Sequence, residues 1–179
     1  MSSINPFVQV AQQMLIGGAV RQNHALEHAT IVLLGRKYPD VRLSGNSFAA
    51  GFFVYGDVPT EAILSTAQEA LTLLRTTSPE LAITERCGTN LVVSALLTGL
   101  SAMTVARLRR PYGTFNNVIL ATMATMILSR PLGLLVQRHL TTQTPSASMT
   151  ITGIRSLSIL GTPAHFVSTN NPEVSGLFS

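Results

Sequence analysis

Two stretches of this chain, Cys87 to Ala106 and Pro111 to Ser129, contain no charged residue. Each is close to the ~20 residues an α-helix needs to cross a bilayer. The second reads on through Arg130 and Pro131 to about Gln137, and the polar turn Arg107-Leu108-Arg109-Arg110-Pro111 separates the two. The pattern predicts a hairpin of membrane helices. A chain of 179 residues has room for one small domain beside such an anchor, and too little protein to bury both helices in a soluble core. Only 11% of residues are Asp, Glu, Lys or Arg, against about 25% in soluble domains, so an ordinary globular surface would be poorly solvated. The net charge of +4 comes mainly from arginines beside the apolar runs. That favours lipid headgroups over nucleic acid as partner. Arginines at both ends of the hairpin leave its orientation open.

The rest of the chain alternates helical and extended patterns. Residues 6 to 16 place Phe7, Val10, Ala11, Met14 and Leu15 at helical spacing, an amphipathic helix suited to a membrane surface. Met1 to Gly18 lacks the basic start, apolar core and small-residue cleavage site of a signal peptide. A second helix is expected from about Ala19 to Leu34, ending at Gly35 with Arg36 and Lys37 favourable at its carboxyl end. Val41 to Gly45 and Ala49 to Gly56 read as an antiparallel pair around the turn-prone Gly45-Asn46-Ser47. From Pro59 to Arg75, Ile63, Leu64, Ala67, Ala70, Leu71 and Leu74 share one helix face. Leu81 to Glu85 reads as a short strand. After the hairpin, Thr141 to Ser148 is a polar linker, and Met149 to Leu160 with Ala164 to Thr169 alternates as a β-hairpin about Gly161-Thr162-Pro163.

Chemistry concentrates in His24-Ala25-Leu26-Glu27-His28. At helical spacing, His24, Glu27 and His28 emerge from one face. Two imidazoles one turn apart can grip one metal ion, with the carboxylate placed to act as general base on a bound water. The order His-x-x-Glu-His is a known metalloenzyme signature, though a cluster of this kind also arises on solvated helix faces. Cys87 is the chain's single cysteine, so it forms no internal disulfide and suits a cytosolic face. A thiolate there would complete a two-His, one-Cys set with an open fourth position, the form of a catalytic site. His139 and His165 are weaker ligand candidates, His139 reading as an interfacial residue beside Arg138. Glu69 and Glu85 are alternative carboxylate ligands, Glu69 reading better as an exposed helix residue. Thr89 and Asn90 could orient Cys87 or cap the first membrane helix.

The order His24-Ala-Leu-Glu27-His28, Gly51-Phe52-Phe53, a helix at 59 to 75, Pro79-Glu80-Leu81 and Cys87-Gly88-Thr89 resembles that of the S-ribosylhomocysteine lyases (LuxS), over roughly residues 19 to 90. The resemblance implies a divalent zinc or iron ion on His24, His28 and Cys87, with Glu27 as acid and base, in an α+β fold that often dimerises. It extends to the related pitrilysin-type metallopeptidases, whose signature is again His-x-x-Glu-His. One departure is sharp: where the lyases carry a second, catalytic cysteine this chain has Phe48, beside Ser47, so the lyase reaction as such is not expected. The layout with its hairpin also resembles an uncharacterised group of bacterial membrane proteins.

The sequence therefore predicts an α+β fold, a small antiparallel sheet with packed helices of LuxS and pitrilysin-like type, plus a two-helix transmembrane hairpin. Its expected parts are an amphipathic helix at 1–18, a metal-binding domain at 19–88, the hairpin at 89–138 and a β-hairpin at 141–170 that completes the soluble domain. The expected function is that of a membrane-anchored metalloprotein, a hydrolase or lyase. The alternative is a non-catalytic subunit or assembly factor of a membrane complex. Small residues in the hairpin (Gly99, Ser101, Ala102, Ala121, Ala124) allow close helix packing in a homodimer or such a complex. The expected place is a bacterial cytoplasmic or thylakoid membrane, crossed more than once, with the metal domain facing the cytosol.

Overall fold

In the computed structural model, residues 17–85, 87–107 and 114–172 are described; the expected N-terminal helix at 6–16 and most of the arginine turn lie outside them. The chain is mixed α+β and divides into two compact units. One runs to Ile83 and resumes at Leu140; the other is Thr84–His139.

The first unit is built on helix α1 (Gly18–Lys37), strands β1 (Ser44–Phe48) and β2 (Gly51–Tyr55), helix α2 (Thr60–Thr76), a 3-10 turn (Pro79–Ala82), and strands β3 (Thr150–Ile159) and β4 (Thr162–Asn170). The strands form one antiparallel sheet in the order β1-β2-β4-β3. Alternation along β2 turns Phe52 and Val54 inward, both fully buried, where they pack with Leu26, Leu34, Ile63, Leu74 and Val167. Burying a side chain such as Phe52 stabilises the fold by about 2 kcal/mol. On α2 the expected stripe is buried at Ile63, Ala67, Ala70, Leu71 and Leu74. Thr66 joins it, whereas Leu64 is only half-buried.

Four local expectations need correction. The first turn falls at Ala49-Ala50, so Gly45, Asn46 and Ser47 lie inside β1. The expected strand at Leu81 to Glu85 is instead the end of a 3-10 turn followed by extended chain. The later hairpin turns at Leu160-Gly161, both with positive φ (50° and 80°), as the tight two-residue turn of a twisted hairpin requires. Helix α1 also runs through Gly35 to Lys37, with the Tyr38 amide bonded to the Leu34 carbonyl at 2.7 Å.

The second unit is a helical hairpin of α3 (Gly88–Arg107) and α4 (Thr114–Val136), closed by a π-turn at Gln137–Thr141 whose last two residues belong to the first unit. Both helices are long and apolar enough to cross a membrane. On α3 no residue is buried, and Leu91, Leu96 and Leu100 are each at least 60% exposed.

Candidate metal centre

Beside its core residues Ala25, Leu26, Ala29, Leu33 and Leu34, α1 buries a set of polar groups. Arg21, Gln22, Asn23, Glu27, His28 and Thr30 are all buried, and buried polar groups must be paired to be tolerated. The Gln22 carbonyl oxygen accepts from the Ser146 amide at 2.8 Å and from Asn171 Nδ2 at 2.6 Å. Asn23 Nδ2 donates to the Phe48 and Ala49 carbonyls at 2.8 and 3.1 Å, and its oxygen accepts from Thr169 Oγ1 at 2.7 Å. These bonds fix the β1-β2 turn and the end of β4 to the helix that carries the histidines.

His24 and His28 sit one helical turn apart with ring centroids 4.2 Å from each other. His24 Nδ1 lies 3.0 Å from the Thr141 carbonyl, and His28 Nδ1 lies 2.7 Å from the Ala82 carbonyl. A carbonyl oxygen only accepts, so both rings donate through Nδ1–H. That tautomer puts the basic lone pair on Nε2, and a backbone anchor of this kind is the usual support of a metal-ligating histidine.

Glu27, 5% exposed, lies against β1. Ser47 Oγ donates to Glu27 Oε2 at 2.6 Å. A Cβ at Gly45 would stand 2.5 Å from Glu27 Oε1, so only glycine lets the carboxyl come this close. Burial raises the Glu27 pKa above the ordinary carboxylate range, while the Ser47 hydroxyl and His24 draw it down. The result is a carboxyl suited to trading a proton. Ser47 and Gly45 have turn composition; the sequence signal for Ser47 is its place beside Phe48, where the lyases carry their cysteine.

Cys87 belongs to the second unit and opens α3. The Thr89 amide donates to Cys87 Sγ at 3.3 Å, and the Asn90 amide bonds the Cys87 carbonyl at 3.0 Å, so the cysteine itself caps the helix. The segment before it is clamped by Gln137, which is fully buried. Gln137 Oε1 accepts from the Thr84 amide at 3.0 Å, and Nε2 donates to the Thr84 carbonyl at 2.9 Å and to Asn90 Oδ1 at 2.6 Å. Asn90 Nδ2 in turn donates to the Thr84 and Glu85 carbonyls at 3.2 and 2.9 Å. Asn90 thus braces the Cys87 segment as well as standing in the first turn of α3. Gln137 escaped the sequence reading because it looked like the fading end of an apolar helix.

The structure thus brings His24, Glu27 and His28 together on one helix face. Glu69, His165 and His139 lie elsewhere. Glu69 pairs with Lys37 Nζ at 2.7 Å, both about half exposed. His165 is buried on β4 with Nδ1 3.2 Å from Thr60 Oγ1. His139 is exposed at the end of the hairpin.

Residues 19–154 match the family model described as a domain of unknown function, DUF6391. The chain is 32% identical over 160 residues to an uncharacterised protein of Picosynechococcus sp., covering 83% of this chain and 78% of that protein. No solved structure matches. A relationship to S-ribosylhomocysteine lyases or pitrilysin-type peptidases is not among these findings.

Proposed function

The chain belongs to the DUF6391 family, and we propose that it is a membrane-anchored metalloprotein in which His24, His28 and Cys87 hold one zinc or iron ion. The observation that carries the reading is the pair of Nδ1 anchors, which set both imidazoles in the ligating tautomer beside a buried carboxyl. Each of the three residues offers one donor atom. The Ala82 carbonyl that anchors His28 lies five residues before Cys87 in the sequence, a stretch of at most ~18 Å, short enough for the chain to bring the thiol and the imidazoles to one ion. Two neutral imidazoles and a thiolate suit zinc or ferrous iron and leave coordination positions for substrate.

The chemistry such an ion supplies is activation of an oxygen atom. Glu27, its pKa raised by burial, takes or returns the proton, and Ser47 sets the carboxyl's orientation. The reaction class is hydrolysis or lyase-type elimination, in line with the resemblance to the S-ribosylhomocysteine lyases and with Phe48 in place of their second cysteine. Helices α3 and α4 serve as a transmembrane hairpin. Their exposed apolar surface also supports a second reading, a non-catalytic subunit that packs against other membrane helices.

Elemental mass spectrometry of the detergent-purified chain tests the metal. One equivalent of zinc or iron in the wild type, lost in His28→Ala and in Cys87→Ala, is the expected result. A metal-free wild type after expression in zinc- and iron-supplemented medium would overturn the reading in favour of the subunit.

A further inference from the structure

A groove in the second unit carries an inference beyond the metal. Its volume is about 400 Å3, inside the ~300–1,000 Å3 range of small-molecule sites. Leu91 and Met126, which line it, are 75% and 56% exposed, so the groove opens sideways, where a spanning hairpin meets lipid. Its back is polar, with Ser129 Oγ donating to Ser94 Oγ at 3.0 Å. Its two charges are of opposite sign, Glu85 and Arg130.

The level of these charges follows from the helix geometry. Arg130 lies 16 residues after the start of α4, about 24 Å along the axis, and Glu85 stands just before the start of α3. The Gln137 to Asn90 bond at 2.6 Å joins those same ends. Glu85 therefore sits at the end of the hairpin away from its turn, and Arg130, next to the Ser129 that bonds Ser94, lies about 9 Å inside that end, close enough for its long side chain to reach headgroup depth if the hairpin spans a bilayer.

We propose that this groove seats the headgroup of a zwitterionic phospholipid of the primary-amine class, with Arg130 on the phosphate and Glu85 on the ammonium. A guanidinium fork matches phosphate oxygens, and a carboxylate matches an ammonium that can donate hydrogen bonds. A purely anionic lipid would leave Glu85 facing like charge, and a quaternary amine has no N–H to give it. The proposal rests on the membrane placement of the hairpin and not on the metal.

The test is native mass spectrometry of the full chain in detergent, titrated with dioleoyl phosphatidylethanolamine, phosphatidylglycerol, phosphatidylcholine and inorganic phosphate. Phosphatidylethanolamine should bind best, and Arg130→Gln and Glu85→Gln should each weaken it by about tenfold, as loss of one charged hydrogen bond implies. Equal binding of the three lipids, unchanged binding in both variants, or inorganic phosphate binding as well as the lipid would overturn it. Alkaline extraction of membranes reads the hairpin's placement separately: release of the chain would refute the membrane reading itself, whatever the titration gives. Metal content of Arg130→Gln should be unchanged, which keeps this result distinct from the fate of the metal site.

Discussion

Replacing Gln137 with leucine removes the clamp that holds the segment before Cys87. The side chains are similar in size, and the site is fully buried, so the change is chiefly one of hydrogen bonds. The bonds lost include those at 3.0, 2.9 and 2.6 Å. The Thr84 carbonyl keeps its bond from Asn90 Nδ2 at 3.2 Å, so the loss of Gln137 weighs on two groups, the Thr84 amide and Asn90 Oδ1. At about 1 kcal/mol each, the low end for a half-buried group, opening of this segment becomes easier by about 2 kcal/mol. That corresponds to roughly a 30-fold rise in the open population. Cys87 is the single cysteine and is buried, so maleimide labelling in chelator reports this opening without background from other thiols. The labelling rate should rise by roughly 30-fold in Gln137→Leu while the helical circular dichroism is retained. A rate within about twofold of the wild type would refute the clamp, because the lost bonds would then contribute less than ~0.5 kcal/mol.

Ser47→Ala should raise the Glu27 pKa further, because the hydroxyl that stabilises the ionised carboxyl is gone; infrared titration of the carboxyl band checks the direction. Gly45→Ala should displace the Glu27 side chain, since the added Cβ would stand 2.5 Å from Oε1, and destabilise the fold by about 1–3 kcal/mol in thermal melts. Burial lowers the His165 pKa, opposed by the Gly56 backbone and Asp57. Its unfolded form therefore takes up a proton first, near pH ~6.5, and stability is present above that pH and lost as pH falls through the folded value; Tm between pH 7 and 5 should fall more in the wild type than in His165→Asn. Glu27 has the opposite sign: its raised pKa gives a contribution present at low pH and lost as pH rises through the folded value, so Glu27→Gln should flatten that loss on raising the pH.

Periodicity located what depends on local pattern. The stripe of α2 and the two uncharged helices needed only the spacing of their side chains, and both stand close to their expected bounds. What failed depends on partners far away in sequence. Gly45-Asn46-Ser47 has turn composition, yet Gly45 serves as clearance for Glu27, and the turn is set at Ala49-Ala50 by Asn23, 25 and 26 residues before the carbonyls it holds. Leu81 to Glu85 alternates like a strand, but the Ala82 carbonyl is taken by His28, and no β-ladder forms there among the described residues. Gln137 carries no local signal because its role exists only in the register of the hairpin.

The polar face of α1 bears on function for the same reason. The apolar residues of α1, Leu26 and Leu34 among them, would hold it to the core with less risk by themselves, since a buried polar group adds stability only when its partner is in place. Here Gln22 and Asn23 meet five partners between them. His24 and His28 each meet a carbonyl, and Glu27 meets Ser47. The bonds of Gln22 and Asn23 fix the helix in rotation and in height against β1 and β4, while those of the next turn set individual side-chain atoms. Breaking the outer set should therefore loosen the inner one: Asn23→Leu, which keeps the volume but removes three bonds, should broaden the imidazole resonances of both His24 and His28 in side-chain NMR, whereas Thr72→Val, on the exposed side of α2, should leave them sharp. Unchanged imidazole resonances in Asn23→Leu would mean that the histidines are placed by α1 alone.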